Sequence, residues 1–138
     1  MKLFTFYRLS VFSSILFILL AIILMFAPSQ MLASWGVELT TSVGLMARRI
    51  AALYIGIAAM FFFARNAEHS ATRTALIHGT IISCLILAAL GAYELYVGHA
   101  SSGILPAIFV EIGLALAFTY VGCACNNTKS LNKNQRKK

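Results

Sequence analysis

Residues 44–64, GLMARRIAALYIGIAAMFFFA, decide the fold. A bilayer core about 30 Å thick is crossed by about 20 predominantly apolar helical residues, and this run is near that length. It also carries two adjacent arginines, Arg48 and Arg49, one to two turns inside its first residue. A soluble core helix has no reason to bury such a pair. A membrane helix places charges there for pairing, for ligand contact or for reach towards headgroups.

Three more runs of similar character flank it, over Leu9–Ala27, Thr74–Val97 and Gly103–Cys123. With 60% apolar and 11% charged residues, the chain lies far from soluble composition and in the direction of membrane spans. A length of 138 residues allows one domain. The expectation is an all-α, polytopic membrane protein: a four-transmembrane-helix, up-down-up-down bundle over residues 1–125. A basic, disordered cytoplasmic tail is expected over 126–138, where Asn and Lys replace the apolar residues. Short connections at 65–73 and 98–102 make consecutive helices antiparallel neighbours.

The net charge of +7 does not point to nucleic acid, because of where the charge sits. Lys2 and Arg8 precede the first run, Arg65 and Arg73 fall between the second and third, and Lys129, Lys133, Arg136, Lys137 and Lys138 follow the fourth. The connections Pro28–Val43 and Gly98–Ser102 contain no Lys or Arg. Basic residues in short loops stay on the cytoplasmic side, which predicts cytoplasmic termini in a bacterial inner membrane. No aromatic or glycine pattern accompanies the lysines to suggest nucleic-acid contact. The first apolar stretch is longer than a signal-peptide core, and Met31-Leu32-Ala33 lacks the small residue a cleavage site needs, so an uncleaved span is expected.

Pro28 should stop the first helix. Ser29 is then a plausible cap for a short interfacial helix over Ser29–Trp35, ended by Gly36, with Met31, Leu32, Trp35 and Leu39 at helical spacing. A weak internal echo pairs Ile55-Gly56-Ile57-Ala58-Ala59-Met60-Phe61 with Ile112-Gly113-Leu114-Ala115-Leu116-Ala117-Phe118.

The chemistry-bearing residues are few. In the second run Ala52, Gly56 and Ala59 fall in the arc between Arg48 and Arg49, and Ile50, Leu53, Ile57 and Phe61 take the opposite, lipid-facing side. In the third run Thr80, Ser83, Cys84, Leu87, Gly91 and Glu94 form one stripe. In the fourth, Glu111 shares a side with Ala107, Ala115 and Gly122. Arg48, Arg49, Glu94 and Glu111 thus fall at similar depth, and opposite charges there predict pairing. Such an Arg/Glu layer either fixes helix register or lines a polar pocket for an anionic or protonatable ligand, with Glu111 the best single candidate.

His69, His78 and His99 lie in different segments and do not converge as metal ligands must, so neither a metal nor another cofactor is expected. Cys84, Cys123 and Cys125 form no disulfide framework. The chain has no aspartate, Walker loop, His-Glu-x-x-His, Gly-x-Ser-x-Gly or Cys-x-x-Cys, which leans against an enzyme.

The landmarks Pro28, Gly36, Arg49 ahead of Ala52-Leu53-Tyr54-Ile55-Gly56, Gly103-Ile104-Leu105-Pro106 and Glu111-Ile112-Gly113-Leu114 together resemble a family of small bacterial four-helix membrane proteins of unknown function. The likeness runs from about Leu9 to Val121. It departs in the third run, where such proteins commonly show an arginine and this chain has Glu94. The resemblance implies a fold and a membrane, and no activity. The functional expectation is a non-enzymatic accessory subunit or small-ligand binder. An oligomeric transporter or channel using Glu111 comes second, and a membrane subunit of a quinone-linked redox system third. The expected partners are the lipid bilayer and either a homo-oligomer or a larger membrane complex.

Overall fold

The structure, a computed structural model, describes residues 2–67 and 70–135, with side chains for 6–67 and 70–123. His69 and the basic residues 136–138 lie outside the described residues. Within them the chain is entirely helical, without strands: α1 (Lys2–Phe26), α2 (Pro28–Ser34), α3 (Thr41–Ala64), α4 (Ala71–Val97), a 3-10 turn (Ser102–Ile104) and α5 (Leu105–Gln135). Four segments, Phe6–Phe26, Thr41–Ala64, Ala71–Val97 and Ser102–Cys123, are long and apolar enough to cross a membrane.

Local chemistry sets the boundaries. Pro28 is the first residue of α2 and Ala27 is its cap, so Ser29 is not the cap. Proline is pre-organised for the first helical position and lacks the N–H that would be orphaned there. Thr40 and Ser70 cap α3 and α4 by accepting from Val43 N and Arg73 N, each at 3.2 Å. Gly36 (φ +82°) and Gly98 (φ +85°) take the left-handed conformation that ends α2 and α4. The last helix continues to Gln135, where a disordered tail was expected from Asn126. No glycine or proline follows Gly122 to interrupt it.

The long helices pack as two pairs, α1 with α3 and α4 with α5, and α1 also touches α5. Ala47, Ala51, Ala58 and Phe61 are the buried face of α3. The small residues Ala52 and Gly56, predicted to face the bundle, are exposed, and Phe61, predicted to face lipid, is fully buried. Two interleaved small-residue stripes run along α3. The structure uses the one that also brings Tyr54 and Phe61 inward. Phe17 stacks on Phe61 with ring centroids 6.0 Å apart and meets Tyr54 at 5.5 Å, which locks α1 to α3. Ser14 adds an interhelical hydrogen bond, its Oγ donating to Ala58 O at 2.9 Å. On the other pair, a Cβ at Gly91 would come within 3.0 Å of Ile108, so α4 and α5 approach closely there.

The pairs are joined in two places. Phe61 of α3 meets Phe118 of α5 at 5.3 Å within a core cluster that includes Phe6, Ile77 and Val121. Away from this cluster, Ser101 N donates to Trp35 O at 2.8 Å, Ser101 Oγ donates to Ser34 O, and Gly103 abuts the Ser34 carbonyl. This clasp ties the α2 corner to the turn before α5.

Candidate functional site

Between the two joints α3 and α4 do not pack substantially against each other. The space left there is a cleft of about 1380 Å³. Trp35 and Gly103 of the clasp bound one end, and Ala67 and Ser70 of the α3–α4 connection bound the other. Phe17, Tyr54, Ile57 and Phe61 form the α1–α3 wall, and Leu76, Ser83, Cys84 and Leu87 form much of the α4 wall. From α5 come Pro106, Ala107, Val110, Glu111 and Leu114. Glu111 is the one charged side chain among the described residues that line the cleft. It is half-buried, and the Tyr54 hydroxyl and Cys84 thiol lie within electrostatic range of it.

Helix geometry explains why Glu111 faces this space. Ile108, Leu114, Ala115 and Phe118 are buried on α5, and Glu111 falls on the same side at a spacing of three residues from Ile108. Ala115, predicted to share that side, is buried with it. The internal echo is also an echo of burial. Ala58 and Phe61 on α3 correspond to Ala115 and Phe118 on α5, and all four are buried. The residues that precede each echoed segment, Tyr54 and Glu111, stand at matched positions and line the cleft from its two sides.

The expected Arg/Glu layer does not form. Among the described residues the ion pair within 4.0 Å is between His99 Nδ1 and Glu94 Oε2, at 3.0 Å. Arg48 and Arg49 are exposed, and neither reaches Glu94 or Glu111. The cause is the choice of face on α3. With Ala47, Ala51 and Ala58 turned to α1, Arg48 points about 100° and Arg49 about 200° away from that buried face. The arginines thus lie on a side of α3 turned away from α1, where they were expected to flank the packing face. Glu94, at the end of α4, instead caps off with the residue that follows the Gly98 turn.

Two features were not singled out from sequence. Arg73, read as a loop charge, sits in the first turn of α4 with 1% exposure, its guanidinium carbon 4.0 Å from the centroid of the Phe6 ring. Ser10, Ser13 and Ser14 form a buried polar strip on α1. Their spacing from Phe6, on one helical face, was the available signal. His78 is exposed, with its Nδ1 2.8 Å from Thr74 O of its own helix. No group of three metal-ligating side chains is found among the described residues. Comparison of the chain with protein-family models, with characterised proteins and with solved structures finds no match.

Proposed function

We propose that this is a non-enzymatic membrane protein that binds a small lipophilic molecule in the cleft between its two helix pairs, with Glu111 as the polar anchor. The observation that carries this reading is a large cleft whose described lining is mostly apolar and holds one carboxylate. Ligand sites are commonly concave and apolar, with a few placed polar groups, and an ionisable group inside a membrane is expensive to keep without a use. The outer surface fits lipid as solvent: Phe12, Leu53, Phe63, Ile86, Phe109 and Leu116 are exposed large apolar side chains. In water such surfaces would drive association.

The proposed setting is a bacterial inner membrane, crossed alternately by the four long helices with both termini in the cytoplasm. The distribution of Lys and Arg supports this orientation. The alternate crossing is supported by packing, since residues near the start of α1, the end of α3, the start of α4 and the far part of α5 share one cluster. Arg48 and Arg49, exposed near the opposite end, would reach periplasmic headgroups. Reporter fusions after Ser29 and after Ser101 should therefore read periplasmic, and a fusion at Lys138 cytoplasmic. A periplasmic reading at Lys138 would overturn the orientation.

Binding itself is tested with a photoreactive lipophile in liposomes of the purified protein. Labelled peptides should map to the cleft walls around Tyr54, Cys84 and Glu111, and labelling confined to the outer surface would sink the reading. A second reading, transport by an oligomer, draws on the length of the cleft, which runs from the clasp to the α3–α4 connection. Flux of substrate into liposomes that is lost in Glu111→Gln would favour it over binding alone.

A further inference from the structure

We propose that the molecule taken by the cleft is a lipophilic organic cation, a compact aromatic or amine-bearing body with a delocalised or ammonium charge. The inference rests on the cleft being a ligand site and adds the chemical class. Charge complementarity selects it. Among the described residues Glu111 is the one charged group on the lining, and no described basic side chain lies within 4.0 Å of it. A carboxylate in low-dielectric surroundings attracts a cation far more strongly than it would in water, and it repels an anion by the same arithmetic.

The opposite wall suits a cation as well. Phe17 of α1 and Tyr54 of α3, both half-buried, line the cleft there, and Trp35 lines one end. Ring faces attract positive charge while contributing apolar contact. The open side between α3 and α4 lets a lipophilic molecule enter from the bilayer without passing through water. Trp35 and Gly103 at one end and Ala67 and Ser70 at the other bound the cleft, which favours a small body over a partner's spanning helix.

Trp35 is the sole tryptophan of the chain and lines the cleft, so its fluorescence reports occupancy directly. The test titrates the full chain in nanodiscs with three probes of similar shape: tetraphenylphosphonium, tetraphenylborate and neutral triphenylphosphine oxide. The expected result is a saturable response to the phosphonium and none to the borate. Glu111→Gln should weaken phosphonium binding by about tenfold or more while leaving the neutral probe unchanged, and Glu111→Asp should retain most of the affinity. If the borate binds as well as the phosphonium, or Glu111→Gln binds the phosphonium normally, the cation class is wrong. A saturable response to the neutral probe would then leave the ligand-site reading standing. No saturable response to any probe would overturn both, as would a stable dimer by native mass spectrometry that excludes all three and gives the cleft to a second copy. Should Glu111→Gln not fold, the contrast between phosphonium and borate on the unaltered chain still decides the class.

Discussion

Gly103→Ala should destabilise the protein by about 1–3 kcal/mol, the usual cost of overpacking a rigid contact, and should loosen the clasp end of the cleft. A Cβ at this position would overlap the backbone carbonyl of Ser34, with the carbonyl carbon of Ser34 at 2.8 Å. A flexible side chain can swing aside from a new methyl group, but a helix-end carbonyl moves only with its backbone. That carbonyl also accepts the hydrogen bond from Ser101 Oγ, so the displacement disturbs the tie between the α2 corner and the turn before α5. Gly113→Ala is the matched control, because nothing lies within 4 Å of the Cβ it would add. Alanine at a helix interior position should then be neutral or slightly stabilising. The comparison is made by thermal unfolding in detergent, followed by circular dichroism and by Trp35 fluorescence. Equal melting of the two variants would mean that the clasp does not hold the pairs together.

What the sequence made legible follows from which signals are one-dimensional. Length and apolarity of the four runs marked the spanning-length helices, and Pro28 and Gly36 marked the corner between the first two, because each acts on its own neighbourhood. The burial of Ala115 beside Glu111 was legible for the same reason, since a single helix has one side per stripe. The face of α3 was not. Ala47, Ala51 and Ala58 compete with Ala52, Gly56 and Ala59 as a close-packing stripe, and composition alone does not rank them. The choice is made by the partner, through Phe17 against Tyr54 and Phe61. That single rotation removed Arg48 and Arg49 from the carboxylates and left Glu111 as the one charged side chain among the described lining residues. The cleft itself is a property of two helices that fail to touch, and nothing within either helix announces that.

The error over Arg73 has a different origin and a larger consequence. In a short connection an arginine reads as an orientation signal, and the same residue two positions later in a helix can be a structural anchor. Here Ser70 caps α4, which draws Arg73 into the first turn and turns it towards the core. Its guanidinium lies over the Phe6 ring and its side chain has further interactions, so the group ties the beginnings of α1 and α4 together. Cation–ring contacts contribute about 0.5–2 kcal/mol, the larger values when desolvated.

Arg73→Ala is accordingly expected to be the most damaging single change, with a loss of roughly 3–5 kcal/mol, the range for emptying a large buried side chain. It empties the volume of a large, nearly inaccessible side chain and removes the cation that lies over the Phe6 ring. Arg73→Lys should recover only part of the loss, because an ammonium keeps the charge but lacks the flat guanidinium that stacks on a ring. Phe6→Leu should cost less than Arg73→Ala, since the apolar volume is largely kept and only the ring contact is lost. The measurement is unfolding in detergent for the series, run beside the reporter fusion at Lys138. If Arg73 serves only to orient the chain, Arg73→Ala will shift the reporter and leave the melting temperature in place. If it anchors the core, the melting temperature will fall in the order Phe6→Leu, Arg73→Lys, Arg73→Ala or with the first two exchanged, while Arg65 and the other flanking basic residues preserve the orientation. An Arg73→Ala protein as stable as the parent would remove the anchor and, with it, the account of how α1 is held against α4.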